Sequence, residues 1–293
     1  MYLERFISFL KFEKHYSMHT VKAYEKDIAT YLAFWEGEGM DFKALTHRDV
    51  RFYLSSLMDH QLTPTSVNRV LSSLRSYYKF LQREGLHGEN PTALVKALKT
   101  PKKLPVVVQE EKIDELLDHD AIFDKNFAGQ RDRLIMEMLF GTGMRLSELI
   151  HLRESDIDFY QQSARILGKR NKERIVPLLP DLIDLIKQYL LLKKVESFDN
   201  NSLTLIVTNR GEQVYPKLVY KVVTSYLSLI TSQQKRSPHV LRHSFATALL
   251  NRGADLNAIK ELLGHANLVA TQVYTHNSME RLKSIYKQAH PKA

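Results

Sequence analysis

Apolar residues recur at helical spacing through most of the chain. Phe6, Phe9 and Leu10 share one face, and Val21, Tyr24, Ile28 and Leu32 share another. Ser17 or Thr20 is placed to cap the second of these helices, and Gly37 and Gly39 are placed to end it. Thr46 with Asp49 three residues on resembles a capping box, with Asp in place of the usual Glu. Val50, Tyr53, Leu54 and Leu57 follow at helical spacing. Thr63-Pro64 reads as an N-cap followed by a proline in the first helical position. Val67, Val70, Leu71, Leu74, Tyr78 and Leu81 then carry a long amphipathic pattern to Gly85. The pattern predicts a bundle of about four helices over the first part of the chain.

Asn90-Pro91 and then Thr100-Pro101-Lys102-Lys103-Leu104-Pro105 interrupt the periodicity. Two prolines and two lysines so close together cannot sit inside a helix, so this is a linker suited to lie along a polyanion. The expected division is an N-terminal helical domain over 1–95, a linker over 96–106 and a second domain over 107–293. Helices are expected over Glu110 to Leu117 and Arg131 to Phe140, a break at Gly141-Thr142-Gly143, and a new helix near Met144. Residues 156–177 change to short β-prone runs, Ile157-Asp158-Phe159, Ala164 to Leu167 and Arg174 to Val176. The polar turn Gly168-Lys169-Arg170-Asn171-Lys172 separates the last two as in a hairpin. Helices resume around 180–195, 216–230, 238–252, 256–263 and 278–288, with Leu203 to Thr208 a candidate further strand. The fold class is therefore mainly α, with an α+β second domain holding a small β-sheet or hairpin.

Composition narrows the function classes. A chain of 293 residues, 44% hydrophobic and 26% charged, has enough apolar surface to bury and is not disordered. No apolar run reaches the ~20 residues of a membrane span, and the first residues lack the pattern of a secretory signal. A soluble, cytoplasmic protein with no membrane association is the expectation. The absence of cysteine excludes disulfides, thiolate metal sites and cysteine nucleophiles. The net charge is +9 and unevenly spread: 201–293 carry 12 basic and 4 acidic side chains, whereas 101–200 carry 16 and 18. A basic final third points to a polyanionic partner or to a solvated basic face.

Several residues in the second domain could carry chemistry. Arg145 follows the Gly-Thr-Gly break at a helix start, where free N–H groups and a guanidinium suit a phosphate. Lys169, Arg170 and Lys172 gather at a hairpin tip. His239 and Arg242 lie three apart at a helix start, a proton-transfer group beside a bidentate cation. His265 closes a helix after Gly264, and Tyr274 lies in Gln272-Val273-Tyr274-Thr275-His276. Each taken singly has an ordinary explanation as a surface cation, a capping histidine or a packing tyrosine. No two-metal carboxylate cluster, His-Glu-x-x-His pattern, dinucleotide fingerprint or Walker loop is visible, so neither a metal nor a cofactor is expected. The remaining set of Arg, Lys, His, Arg, His and Tyr suits a site that neutralises phosphate charge with cations.

In order and spacing, these residues resemble the tyrosine recombinases of the phage integrase family, Xer type, over nearly the whole chain. The resemblance rests on Thr20 to Tyr24, Leu71 to Leu81 and Asn90-Pro91 in the N-terminal half. In the C-terminal half it rests on Gly141 to Leu149, His239 to Thr247, Leu262 to His265 and Gln272 to His276. Two places depart from the family pattern. Arg170 stands where the turn usually has a second glycine, and Val269-Ala270 replaces a polar pair.

Carried over residue by residue, the resemblance implies that Tyr274 is the nucleophile, its phenolate attacking a DNA phosphodiester to give a 3′-phosphotyrosyl link and a free 5′-hydroxyl. Arg145 and Arg242 would hold the non-bridging oxygens. Lys169 occupies the position of the lysine that protonates the leaving oxygen, with Lys172 the other lysine of the turn. His239 would assist proton transfer, His265 would bond the phosphate, and Glu148 would support an arginine. The resemblance further implies a C-shaped two-domain clamp on double-stranded DNA, with the N-terminal domain contacting the core site. A homo- or hetero-tetramer would assemble on DNA at a dif-like site, with a paralogous Xer recombinase and an FtsK-type translocase as candidate partners. The final helix, Met279 to Gln288, would dock through Leu282, Ile285 and Tyr286 into a neighbouring protomer, the alternative being its own domain. The implied role is chromosome dimer resolution in chromosome segregation. A mobile-element integrase and a catalytically silent DNA-binding protein are the competing readings.

Overall fold

The computed structural model describes residues 2–101, 106–119, 121–168, 172–198, 202–264, 284–286 and 288–292. The chain divides into two compact units, Met1–Lys103 and Leu104–Ala293.

In the first unit, α1 (Tyr2–Ser8) runs into a π-helical turn (Phe9–Glu13). It is followed by α2 (Met18–Gly37), α3 (His47–Asp59) and α4 (Pro64–Arg83). The caps are those the sequence suggests. Ser17 Oγ accepts from the Thr20 amide, Thr63 Oγ1 from that of Ser66, and the Asp49 carboxylate from that of Thr46. The core is strongly aromatic: Phe6 and Tyr77 meet edge to face, Phe9 stacks on Phe80, and the Tyr31 and Tyr78 hydroxyls bond at 2.9 Å. Buried Asp27 accepts hydrogen bonds from Ser73 and Arg69, which ties α2 to α4. The chain after α4 stays attached to it. Asn68 and Leu98 exchange two hydrogen bonds, and Arg75 donates to the Val95 carbonyl.

The second unit comprises α5 (Glu110–Asp118), α6 (Phe127–Thr142) and α7 (Leu146–His151). A three-stranded sheet follows, β1 (Ile157–Asp158), β2 (Ser163–Leu167) and β3 (Glu173–Pro177). Then come α8 (Pro180–Val195), α9 (Pro216–Ile230), α10 (Pro238–Asn251) and α11 (Leu256–Leu263). The sheet is antiparallel in the order β1-β2-β3, with Leu167 opposite Glu173 and the Gly168 amide bonded to the Lys172 carbonyl. Prolines 180, 216 and 238 start three of the helices, where a missing amide hydrogen costs nothing. Helix α6 is the core helix, buried on all sides from Leu134 to Thr142.

Three expectations change. The Gly141-Thr142-Gly143 sequence does not break the helix at its first glycine; α6 continues through Thr142, whose hydroxyl bonds the Met138 carbonyl, and only Gly143 turns left-handed at φ +60°. The next helix starts at Leu146, with Arg145 as its N-cap. Residues 203–208 form no strand, only isolated bridges. Side chains take the backbone groups a ladder would have used: Lys193 Nζ bonds the Ser202 and Thr204 carbonyls, and Tyr189 Oη accepts from the Val207 amide.

The C-terminal residues pack on their own unit. Tyr286 is buried and donates to the Gly141 carbonyl at 2.6 Å, and the His290 ring bonds the same oxygen. Arg252 holds the His290 and Pro291 carbonyls, and Lys292 pairs with Glu137 and Asp118. For Ile285 and Tyr286 the docking within the same domain is thus the one observed in the single chain. Leu282 lies outside the described residues.

Candidate active site

The start of α7, helix α10, strand β3 and the C-terminal end of α11 meet at a cluster of three arginines and one carboxylate, Glu148. Arg145 sits just ahead of α7 in extended conformation (φ −77°, ψ 152°), an unusual residue for an N-cap. The reciprocal half of a capping box supports it: its amide donates to Glu148 Oε2 at 2.7 Å. This corrects the expectation that the helix start is an open anion cradle, because the Glu148 carboxylate already occupies it. The anion-binding capacity lies in the guanidinium. Arg145 Nη1 donates to Glu148 Oε1 at 2.8 Å and Nη2 to the Gly264 carbonyl at 3.1 Å, leaving the side chain 37% exposed.

Arg242 projects from α10 and is buried. It donates to the Gly143 carbonyl at 2.6 Å and the Leu263 carbonyl at 2.7 Å. Gly143 permits this packing. Its left-handed backbone favours glycine, and a Cβ there would overlap the Phe245 ring and come within 2.8 Å of Leu263.

A third guanidinium, Arg174 of β3, completes the cluster. It grips Glu148 with two parallel bonds, Nη1 to Oε1 at 2.9 Å and Nη2 to Oε2 at 2.7 Å, and donates Nε to the Leu262 carbonyl at 2.8 Å. Sequence reasoning missed this residue. The signal was present: in a strand of period two, Arg174 shares a face with buried Val176, opposite buried Ile166.

Three consecutive carbonyls at the end of α11, those of Leu262, Leu263 and Gly264, are thus each taken by a different arginine. A helix C-terminus carries partial negative charge and unsatisfied carbonyls, which suits it to gather cations. Three guanidiniums gathered near one carboxylate, two bonded to it and Arg242 held by carbonyls, leave a local excess of positive charge. Burial, then the Arg145 charge, pushes the Arg242 pKa down to about 10, while Glu148 opposes the shift. Burial alone would raise the Glu148 carboxyl, but the hydrogen bonds and charge of Arg174, followed by the Arg145 bonds, hold it below the usual carboxylate range. An anion of phosphate type placed against Arg145 and Arg242 relieves their mutual repulsion.

His239, in the first turn of α10, is exposed, as is His243. Partial burial and then the charges of His239 and Arg242 hold the His243 pKa below the usual value. Lys172 is exposed at the base of the β2–β3 turn. The structure therefore brings Arg145, Arg242 and Glu148 together and places His239 on the same helix as Arg242. Lys169, His265 and Tyr274, along with Val269-Ala270, lie outside the described residues.

Comparison with known proteins agrees with this architecture. Residues 107–281 match the phage integrase family, and residues 3–85 match the phage integrase N-terminal SAM-like domain. The tyrosine recombinase XerC of Chlorobaculum parvum is 36% identical over 100% of this chain and 95% of that protein. XerC of Listeria innocua is 38% identical over 99% of this chain and 97% of its own length. Among solved structures, XerH site-specific recombinase bound to palindromic difH substrate in a post-cleavage complex matches with a TM-score of 0.73. It is 23% identical, with 90% of this chain and 78% of that chain covered. The chain belongs to the phage integrase family of tyrosine recombinases. It is a site-specific recombinase of Xer type, an enzyme that cuts and rejoins DNA.

Proposed function

We propose that the arginine cluster holds the scissile phosphate of a double-stranded, dif-like DNA site, and that Tyr274 cuts there. The observation that carries this reading is the gathering of three guanidiniums around the end of α11, two of them bonded to Glu148 and the third to backbone carbonyls, with Arg145 partly exposed. Arg145 and Arg242 take the two non-bridging oxygens and stabilise the charge that grows as the phosphorus becomes five-coordinate. The Tyr274 oxygen forms the new bond to phosphorus, and the bond to the 5′-oxygen breaks. Lys169 gives that oxygen its proton, with Lys172 the alternative donor. His239 takes the phenolic proton, and His265 bonds the phosphate. The link conserves the ester bond, so religation by an incoming 5′-hydroxyl needs no external energy source.

The 1–95 bundle is a second DNA-contacting domain, joined through the 96–106 linker to the catalytic domain at 107–293. XerC relatives and the difH complex of XerH support a role at dif-like sites, in chromosome dimer resolution. Function there requires a tetramer on DNA, of this chain alone or with a paralogous Xer recombinase. An FtsK-type translocase is the proposed activator. No described helix is long and apolar enough to cross a membrane, and we place the protein in the cytoplasm with the chromosome.

The test is a nicked duplex carrying a dif-like site, incubated with excess chelator and then denatured. Wild type should leave a covalent protein–DNA adduct, and Tyr274→Phe should leave none. A wild-type protein that binds this duplex tightly yet forms no adduct, even with a paralogous recombinase added, would count against catalysis.

A further inference from the structure

We infer that Arg174 is a positioning residue for strand cleavage, acting through Glu148 and the end of α11 to set the charge and placement of Arg145. This rests on the reading of Arg145 and Arg242 as the phosphate-holding pair.

Arg174 is buried; its side chain is 6% exposed. Its described bonds run to Glu148, which supports Arg145, and to the Leu262 carbonyl, next in the chain to the Leu263 carbonyl that holds Arg242. It binds both oxygens of Glu148, the carboxylate that also holds the Arg145 amide and guanidinium. With Arg174 removed, Arg145 would be the one arginine still hydrogen-bonded to Glu148. The carboxylate would then pull Arg145 inward and cancel the charge that a phosphate is to meet. With Arg174 present, the trio of Arg145, Arg174 and Glu148 keeps a net positive charge, and the outer edge of Arg145 stays available.

The second route runs through α11. Arg174 Nε fixes the Leu262 carbonyl, the neighbour of the carbonyls that hold Arg242 and Arg145. Gly264 is shaped for this passage: at φ +64°, an added Cβ would lie 3.1 Å from Arg174 Nη1 and 3.2 Å from its Cδ. The chain continues from Gly264 directly into His265. At the other end, Gly168, the residue before Lys169, abuts the pair; a Cβ there would stand 3.8 Å from Glu148 Oε1 and 3.9 Å from Arg174 Nη1. One buried guanidinium therefore links the supports of the two arginines, the approach to His265 and the base of the lysine hairpin.

The experiment compares Arg174→Met and Arg174→Lys with wild type on two nicked dif-like duplexes. One carries an ordinary scissile phosphodiester, the other a methylphosphonate there. The methylphosphonate removes the charge of one non-bridging oxygen and so lowers the demand for cationic stabilisation. On the phosphodiester, Arg174→Met should slow adduct formation by about 100-fold, the scale of losing one charge-stabilising donor. Arg174→Lys, which keeps a charge but not the two-pronged grip, should slow it by about 10-fold. On the methylphosphonate, both deficits should shrink to about threefold or less, with DNA binding within about twofold of wild type throughout.

An equal deficit on both duplexes, in protein that melts and binds normally, would show mere structural damage and overturn the proposal. So would wild-type rates on the phosphodiester. If Arg174→Met does not fold, Arg174→Lys decides by the same criteria. Arg242→Ala, run in parallel, separates the two readings. If it too cleaves the phosphodiester normally, the phosphate-holding assignment fails, and not only the role of Arg174.

Discussion

Replacing Glu148 with glutamine removes one charge and almost no volume, and so isolates what the carboxylate contributes. In the native protein it accepts four hydrogen bonds, two from Arg145 and two from Arg174, at 2.7 to 2.9 Å. A glutamine keeps one acceptor oxygen and turns the other into a donor aimed at two donors. Two charge-assisted bonds are lost at about 1.5–3 kcal/mol each, and three guanidiniums are left without a counter-charge. Breaking a buried pair from one side typically costs about 3–5 kcal/mol, and that is the expected loss here.

The assay is a urea melt of wild type and Glu148→Gln followed by circular dichroism. Trp35, the lone tryptophan, is buried in the first unit, so its fluorescence gives an internal reference that should not shift. The difference between the two proteins should also depend on pH. The Glu148 carboxyl lies below its ordinary value of 4.5 in the folded state. Its contribution is therefore fully present above 4.5 and lost as the pH falls through the lower native value. A difference below about 1 kcal/mol at pH 7 would refute the argument, because it would mean the bonds add no net stability. So would a difference at pH 3 as large as at pH 7.

Three other outcomes follow from the same geometry. Gly143→Ala should destabilise the protein by about 2–4 kcal/mol, from the left-handed backbone and the overlap with Phe245 and Leu263, and should slow cleavage because the Gly143 carbonyl holds Arg242; a melting point within a degree of wild type contradicts this. Burial, with the nearby Lys292 and Arg252 charges, pushes the His290 pKa down to about 4 despite its bond to the Gly141 carbonyl. Its contribution is present above 6.5 and lost on the way to 4, on the order of 3 kcal/mol, so His290→Asn should flatten the fall of Tm in that window; parallel curves would sink the idea. DNA affinity should drop by about 1,000-fold between 50 and 200 mM salt if the basic final third meets six or more phosphates; a drop under tenfold excludes that placement.

The helices were legible because each carries its own local evidence. Thr46 with Asp49, and Thr63 with Pro64, mark starts that the structure reproduces. The stretch 203–208 was not, because its β-prone residues satisfy their backbone through Lys193 and Tyr189, which are distant in sequence. Arg145 and Arg242 could be picked out, but their packing could not. The carbonyls that hold them come from Gly143, Leu263 and Gly264, and no local pattern announces a carbonyl. Arg174 was overlooked because a cation in a strand next to a basic turn reads as part of that turn. Only its alternation with Val176 signals burial. The tail was legible as apolar, but whether it serves its own domain depends on Gly141, a contact 145 residues away in the chain.

The most direct test of the account is to identify the residue and the DNA end joined in the adduct. Wild-type protein trapped on the nicked duplex in chelator would be digested with protease and nuclease and its peptides sequenced by mass spectrometry. The expected product is a nucleotide attached through its 3′-phosphate to Tyr274, with the 5′-hydroxyl free on the other side of the cut. Attachment to any other residue, or through a 5′-phosphate, would contradict it.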